Sequence, residues 1–337
     1  MVSFSLSPDG EKLPLPKEED FKRENERLHK MIAEQQSLGR EIVVVMGVGF
    51  VGAIMAGIVA DTVGVDGKSS KFVVGVQRPS VRSYWKIPIM NRGLSPVKSD
   101  DPTVDLMIKR CVLDKKTLTA SFSYESLALA DVVIVDIQCD YAKNALGNCR
   151  DGHAEISDLE QAFYIIAERV RPDTLIMIET TVPPGTTENI ALPIMRKVFQ
   201  KRGITAEPLL AHSYERVMPG RNYVASIRDF WRVCSGVNEE AKRRVVKFLT
   251  EVLNTKDYPL TVLDKPIESE TAKIVENSYR ATILAFMDEW STFAERNGVD
   301  ILKVLKAIKI RPTHGNIMFP GPGIGGYCLP KDGALGQ

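Results

Sequence analysis

The chain has 337 residues, of which 44% are hydrophobic and 26% are charged, and its formal net charge is +1. This length predicts two domains, with room for part of a third, and enough apolar residues to bury a large core. A charge near zero gives no electrostatic reason to expect nucleic acid or an anionic membrane as a partner. Five cysteines without a CxxC pair favour a reducing compartment, and residues 1–20 contain no apolar secretory segment, so we expect a cytoplasmic protein.

The N-terminal extension, residues 1–39, divides into two parts. Residues 1–16 predict a disordered or loosely attached leader. Residues 17–38 are densely charged but carry a sparse apolar stripe, which predicts a surface helix closed by Gly39. We favour a solvated helix that docks on the domain over an arm that binds a partner.

Residues 42–60 are nineteen uncharged, mostly apolar positions. A hydropathy window alone would suggest a membrane span. The β-branched run followed by spaced glycines is better explained as strand, turn and helix, so no membrane partner is predicted.

Strand and helix patterns then alternate, which predicts an α/β fold with a Rossmann-like, doubly wound parallel sheet over residues 40–240. The predicted strands are 41–46, 72–77, 118–122, 131–137, 174–181, 207–212, 231–237 and 258–263. The predicted helices between them are 50–62, 103–110, 123–130, 156–170 and 184–201.

Residues 241–337 predict a mainly helical central region. One long helix begins near Ile267 and ends at Asn297-Gly298, and DILKVLKAI forms a second helix. The region then ends in a glycine-rich loop that contains Cys328.

Gly47, Gly49 and Gly52 form the run G-V-G-F-V-G between the first strand of the sheet and its helix. In this context the glycines permit a tight turn, close approach of a pyrophosphate and close helix–sheet packing. The run therefore predicts a dinucleotide site, with a tightly packed turn as the structural alternative. The candidate cofactor-binding residues are Gly47, Val48, Gly49, Phe50, Val51 and Gly52.

The end of the next strand carries Gln77 and Arg78, where an acidic residue for the ribose is expected. Glutamine can still bond a hydroxyl, and arginine can accommodate a 2′-phosphate. These residues by themselves are compatible with either NAD or NADP as the cofactor.

Cys328 differs from the other four cysteines because it lies in a glycine-rich loop. The other four are predicted to occupy the core or the surface without a chemical role. Backbone N–H groups of its glycine-rich loop can converge on an oxyanion, and Lys331 would favour the thiolate. Zinc binding is the rival use, but no His/Cys cluster accompanies Cys328, so no metal site is predicted.

Four further side chains are candidate catalytic residues, but their local sequence patterns also fit a purely structural role. Lys273 and Asn277 lie four residues apart and share one helical face, where a solvated pair is the ordinary reading. Thr181 follows a strand in ETTVPPGTT, and Glu215 lies in HSYERVMPG, where turn chemistry is the alternative.

Together, the ordered segments GVGFVG, TTVPPGTT, SYERVMPG, AKIVENSYR and GPGIGGYCLPKD resemble the nucleotide-sugar dehydrogenases over residues 41–337. The resemblance implies an NAD-dependent oxidoreductase that oxidises C6 of a UDP-sugar to the uronate. It also implies a homodimer with a core on the long helix, and a role in polysaccharide biosynthesis.

The resemblance implies a role for each matching residue. Cys328 would add to the C6 aldehyde, giving a thiohemiacetal and then a thioester. Lys273 would stabilise oxyanion charge, and Asn277 and Asp332 would orient and deprotonate a water or the alcohol. Thr181 and Glu215 would hold the hydrolytic water, with Glu215 as its base. Thr181 and Lys331 would also contact the cofactor, together with Gln77 and Arg78.

Three departures from the family pattern concern the sugar and the cofactor. Tyr214 stands where proline usually precedes the glutamate, Tyr327 stands where histidine usually precedes the cysteine, and Gln77 replaces the ribose aspartate. ERVMPG is more like the branch acting on N-acetylated sugars, whereas the KD after the cysteine is more typical of the UDP-glucose branch.

Relatives of this type continue into a third, nucleotide-binding domain that this sequence lacks, so we expect a fragment or a short homologue. Two rival functions are a one-step hydroxyacid dehydrogenase, which needs no thiol, and a non-catalytic nucleotide-binding module.

Overall fold

A computed structural model describes residues 3–145, 148–218 and 220–336. Pro219, within SYERVMPG, and the terminal Gln337 lie outside the described residues. The chain forms two compact units: Met1–Gln138, Ile156–Thr180 and Gly185–Ser269 make the first, and Cys139–Glu155, Thr181–Pro184 and Glu270–Gln337 make the second. The division into an extension (1–39), a Rossmann-like domain (40–240) and a central region (241–337) stays a prediction.

The first unit contains an eight-stranded sheet and a small N-terminal hairpin. Its strands are β1 (Phe4–Leu6), β2 (Lys12–Pro14), β3 (Glu41–Met46), β4 (Lys71–Val76), β5 (Leu118–Ser121), β6 (Val132–Val135), β9 (Leu175–Ile178), β10 (Leu209–His212), β11 (Val233–Gly236) and β12 (Thr261–Val262). The sheet order is β12-β11-β10-β9-β6-β3-β4-β5. The chain thus winds outward in both directions from β3, which confirms the doubly wound α/β fold.

The helices of the first unit are α1 (Glu18–Ser37), α2 (Gly52–Asp61), α3 (Lys86–Asn91), α4 (Pro102–Lys109), α5 (Ser157–Ala167), α6 (Leu192–Lys201), α7 (Tyr223–Arg228) and α8 (Glu239–Val252). Side chains from α2, α4, α7 and α8 share a buried core with alternate residues of the strands, such as Val43, Val73 and Ile134. The nearly continuous apolar strands reflect a sheet covered on both faces.

The second unit contains one hairpin and three helices among its described residues. The hairpin pairs β7 (Asp140–Ala145) with β8 (Asn148–Glu155) in antiparallel fashion. The helices are α9 (Pro266–Arg296), whose first residues belong to the first unit, α10 (Ile301–Ile308) and α11 (Leu329–Asp332). The predicted long helix is therefore confirmed, and it ends just before Gly298, which adopts φ 66°.

One expectation about the backbone was wrong, and the predicted parallel sheet is confirmed with one exception. The leader is ordered in part, because Phe4 pairs with Pro14 in a hairpin and the Ser5 hydroxyl donates to the Val81 carbonyl at 2.9 Å. The sheet is parallel except between β10 and β11, which are antiparallel.

The apolar stretch at 42–60 forms β3, the glycine turn and most of α2, as predicted. Among the described residues, no helix combines the length and apolar character needed to cross a bilayer.

Candidate functional site

The glycine turn between β3 and α2 has a steric reason at two positions. Gly47 adopts φ 100°, and a Cβ there would lie 2.5 Å from the Asp136 carbonyl oxygen. At Gly52 a Cβ would lie 2.0 Å from the Gly47 carbonyl oxygen, so no side chain fits. At Gly49 a Cβ would meet nothing within 4 Å, so open space adjoins this residue. The turn therefore has the close packing and the open face that a pyrophosphate site needs.

A cleft of about 390 Å³ opens at the carboxyl ends of β3, β4 and β6. Its lining includes Gly47, Gly49, Gln77 and Arg78, four of the predicted cofactor-binding residues. This is the point where the strand order reverses, the usual ligand position in open α/β sheets. The residues present fit a dinucleotide, and the glycine turn leaves space for its pyrophosphate.

The residue at the end of β4 is bound to the glycine turn. Gln77 accepts a hydrogen bond at its side-chain oxygen from the Val48 N–H, at 3.2 Å. Arg78 pairs at 3.3 Å with Asp158, and both side chains are largely exposed. Burial lowers the pKa of Lys86, the first residue of α3, which also lines this cleft.

Beneath the turn lies a buried charged cluster that the sequence analysis missed. Arg232 forms an ion pair with Glu179, and its Nε donates to the Ser213 hydroxyl at 3.1 Å. Burial raises the pKa of Asp136 to about 8, although the Arg232 charge opposes this, and burial lowers the pKa of Arg232 to about 10. One signal was present: Asp136 and Glu179 each directly follow an apolar strand, VVIV and LIMI.

Glu215 lies in the first unit, in the loop after β10, and is 6% exposed. Its carboxylate accepts a hydrogen bond from the Val217 N–H. Its negative charge contributes to the raised pKa values of Asp136 and Tyr223, although burial is the larger cause in both. Glu215 is thus a desolvated carboxylate near the buried cluster. Tyr214, which replaces the family proline, is 2% exposed.

In the second unit, Cys328 immediately precedes the short helix α11 and is exposed. Its carbonyl oxygen accepts the Asp332 N–H at 2.9 Å and the Lys331 N–H at 3.1 Å. These bonds fix the backbone position of Cys328, and the residue as a whole is exposed.

Three predicted site residues meet in one network in this unit. The Asn277 amide donates to Asp332 Oδ2 at 2.7 Å, and the Lys331 ammonium donates to Asp332 Oδ1 at 2.8 Å and to the Cys139 carbonyl at 3.2 Å. Asp332 is 0% exposed, so both carboxylate oxygens are satisfied away from water. The network ties α9 to the helix that follows Cys328.

Lys273 and Thr181 complete the predicted set. Lys273 lies one turn before Asn277 on α9, and both side chains are buried, which supports their sharing one face. Thr181 is half-buried in the short segment after β9 that belongs to the second unit. Tyr327, in place of the family histidine, is exposed and donates to Asp140, with the Lys331 ammonium 5.0 Å from its ring centroid.

The other described cysteines differ from Cys328. Cys111, Cys139 and Cys234 are buried, and burial raises the pKa of their thiols, to about 12 for Cys111 and about 11 for the other two. Such thiols remain protonated and unreactive at neutral pH. The Cys149 side chain lies outside the described part of the chain. Within that part, no group of three or more His, Cys, Asp or Glu side chains is arranged to hold a metal ion.

The fold, the glycine turn and the cleft define a dinucleotide-binding α/β protein of the Rossmann type. Residues 41–254 match the NAD binding domain of the UDP-glucose/GDP-mannose dehydrogenase family, and residues 267–335 match its central domain. The chain belongs to the UDP-glucose/GDP-mannose dehydrogenase family. This confirms the resemblance drawn from the motifs, and with it NAD as the cofactor.

Proteins similar to this chain are named as dehydrogenases of nucleotide sugars. UDP-N-acetyl-D-mannosamine dehydrogenase of Pyrococcus horikoshii is 30% identical over 292 residues, which cover 86% of this chain and 62% of the relative. UDP-glucose 6-dehydrogenase of Rickettsia bellii is 26% identical over 73% of this chain and 53% of its own length. The crystal structure of NDP-N-acetyl-D-galactosaminuronic acid dehydrogenase from Methanosarcina mazei superimposes with a TM-score of 0.71 at 27% identity, covering 91% of this chain and 62% of that one. This chain therefore spans under two thirds of the length of these relatives.

Proposed function

We propose that the protein is a nucleotide-sugar 6-dehydrogenase that oxidises the C6 alcohol of a UDP-sugar to the uronate in two steps. The observation that carries the proposal is the buried Asn277–Asp332–Lys331 network beside an exposed Cys328, in a chain of this family. A one-step alcohol oxidation needs no thiol, whereas oxidation to the acid gains from one.

Cys328 is the proposed nucleophile. After the alcohol has become an aldehyde, the Cys328 sulfur bonds to the aldehyde carbon and the carbonyl oxygen gains a proton, giving a thiohemiacetal. Loss of a second hydride and a proton converts this adduct into a thioester, and water then cleaves the carbon–sulfur bond to release the uronate. When bound, NAD supplies the hydride acceptor for both oxidations, so each uronate requires two NAD molecules.

The remaining residues support charge and proton transfers. Lys273 stabilises negative charge on the C6 oxygen, an effect worth a few kcal/mol where such a donor is desolvated. Asn277 and Asp332, joined by a hydrogen bond of 2.7 Å, orient the alcohol or the water. Glu215 acts as base toward the hydrolytic water, with Thr181 as a hydrogen-bond partner. Thr181 and Lys331 also contact the cofactor.

We infer that the substrate is a UDP-hexosamine with an N-acetyl group. The names of the Pyrococcus and Methanosarcina relatives, which concern N-acetylated sugars, support this choice. The ERVMPG segment supports it as well. UDP-glucose is the second candidate, because of the Rickettsia relative and the Lys-Asp pair after Cys328.

We also propose a cytoplasmic homodimer that acts in polysaccharide biosynthesis. The support for dimerisation is an aromatic row on α9, in which Phe286, Trp290 and Phe293 are each about half exposed and stack edge to face. Exposed apolar rows of this kind mark association surfaces.

The test is product analysis with the full-length protein in which this sequence occurs. A panel of UDP- and GDP-sugars and, in separate assays, hydroxyacids is supplied with NAD, and both NADH and the oxidised product are quantified. We expect two NADH per uronate with an N-acetylated UDP-hexosamine. One NADH per product with a hydroxyacid, or no turnover with any nucleotide sugar, would reject the proposal.

A further inference from the structure

The adenosine end of the cleft departs from an NAD site in its charge. In NAD-binding Rossmann domains an acidic side chain after the second strand bonds the ribose hydroxyls and repels a 2′-phosphate. Here that position is Gln77, whose side-chain oxygen is occupied by the Val48 N–H at 3.2 Å. The position thus carries no negative charge, and the amide nitrogen is its hydrogen-bond donor.

Two basic side chains line the same cleft as Gln77. Arg78 follows Gln77 directly, and Lys86 begins α3. Within the described residues, Lys86 has no salt-bridge or hydrogen-bond partner for its ammonium group, and burial alone accounts for its lowered pKa. A partly desolvated lysine without an acid nearby is unfavourable until an anion binds beside it.

The acidic residues that line this cleft do not cancel these charges. Asp158 pairs with Arg78 at 3.3 Å, but both side chains are about 60% exposed, so the pair is weak and easily exchanged. Asp136 lies at the glycine turn, where burial favours its neutral form. The phenol of Tyr124 also lines the cleft and adds a further donor.

The backbone that carries Arg78 is braced. The Ser83 hydroxyl donates to the Arg78 carbonyl at 3.0 Å and lies 2.8 Å from the Ser80 hydroxyl. These bonds hold the turn between β4 and α3. The backbone from which the Arg78 side chain extends is therefore fixed. A backbone that is already ordered reduces the conformational entropy lost when the arginine binds a ligand.

We propose that this end of the cleft binds the 2′-phosphate of NADP through Arg78 and Lys86, so that the protein accepts NADP as well as NAD. A phosphate dianion matches the planar fork of arginine and the point charge of lysine. On binding, the phosphate takes the place of Asp158 as the partner of Arg78. The inference rests on the dinucleotide site of the proposed function but not on its thiol chemistry.

The experiment is calorimetric titration of the 337-residue chain with NAD, NADP, ADP and 2′,5′-ADP at two salt concentrations. Arg78→Gln and Lys86→Gln are compared with Arg82→Gln, a neighbouring exposed arginine that does not line the cleft. We expect NADP to bind within roughly tenfold of NAD. Loss of either charged contact should weaken NADP and 2′,5′-ADP by roughly tenfold or more relative to its effect on NAD and ADP, and added salt should weaken NADP more than NAD.

A variant that introduces an acidic residue at position 77 tests the preference between NAD and NADP independently. Gln77→Asp restores the acidic position, so NADP should weaken by roughly tenfold or more while NAD binds at least as well. The inference is overturned if wild type binds NAD but binds NADP more than about a hundredfold more weakly, or if the variants change both dinucleotides equally. Neither of these results affects the proposed function, whereas a chain that binds neither dinucleotide would remove the basis of both.

Discussion

Cys328 differs from the buried cysteines because its thiol is exposed while its backbone is held. The carbonyl of Cys328 is bonded by the N–H groups of Lys331 and Asp332, and Asp332 is itself bonded to Asn277 on α9. A reactive thiol needs this combination of access and positioning. At the residue scale, the proposed function therefore depends on one exposed atom and a buried support.

Cys328→Ala should lower uronate formation by roughly a thousandfold or more, because no other group can form the acyl-enzyme. Cofactor binding should be unchanged, since the glycine turn belongs to the first unit. Direct measurement of uronate in the full-length protein, with dinucleotide titration alongside, checks both statements.

The matched control is Cys234→Ala, which removes a buried thiol from the core of the first unit. Its effect should be confined to a stability loss of about 1 kcal/mol. Near-normal uronate formation by Cys328→Ala would rule out the nucleophile role.

Asp136 gives a pH prediction at the same scale. Because burial raises its pKa from 3.8 to about 8, the folded protein keeps a proton there that the unfolded chain loses. This contribution to stability is complete below about pH 4 and is lost as the pH rises toward 8. Asp136→Asn cannot ionise, so its urea midpoint should fall less between pH 5 and pH 8 than that of wild type.

Urea denaturation of both proteins across that range, followed by fluorescence, makes the comparison. Parallel curves would show that Asp136 is ionised in the folded state, with Arg232 rather than burial deciding its charge.

At the scale of elements, helix α1 is an integral part of the first unit. Arg27 donates to the Thr119 hydroxyl at 3.1 Å, and Glu24 and Asn25 accept hydrogen bonds from Ser121 and Ser123. Leu28 and Ile32 are almost completely buried. The helix lies against the end of the sheet formed by β5, which it helps to cover. The preference for a docked helix over a partner-binding arm is thereby supported.

Leu28→Ala should lower the free energy of unfolding by about 2–5 kcal/mol, because it opens a cavity under α1. Leu28 is 1% exposed. Arg23→Ala, on the same helix but with its side chain 73% exposed, should change it by less than about 0.5 kcal/mol. Chemical denaturation monitored by circular dichroism compares the two. Equal, small effects would indicate that α1 does not contribute to the folded core.

For the protein as a whole, helix α9 carries an exposed apolar surface. The aromatic row of Phe286, Trp290 and Phe293 exposes apolar area on α9 that a monomer would leave in water. Burial of such area contributes about 25 cal/mol per Å² before the cost of association is subtracted.

We therefore expect the full-length protein to be a dimer by light scattering at micromolar concentration. The double variant Phe286→Ser and Trp290→Ser should shift it toward monomer. Val65→Ser, which alters an exposed valine of the first unit, should leave the dimer intact. A monomeric wild type, or a dimer that both variants leave unchanged, would show that this face is not the interface.

The local features of this protein are encoded in short stretches of its sequence. Strand β3 was predicted with its observed bounds, and the long helix α9 to within one residue at each end, because an apolar strand and a helical period are encoded in neighbouring residues. The glycine turn was also predictable, since Gly47 and Gly52 leave no room for a side chain within a few residues of each other.

Which distant residues meet depends on how the chain folds as a whole. The β1–β2 hairpin forms in a segment that reads as a polar leader, since its Ser5 hydroxyl finds the Val81 carbonyl across 76 positions. Asp136, Glu179 and Arg232 follow or precede different strands, and they form a buried cluster only because β6, β9 and β11 belong to one sheet. Asn277 and Asp332 are 55 residues apart, yet they share one hydrogen bond. Local propensity carries no information about such pairs, because a buried charge is stable only when the fold supplies its partner.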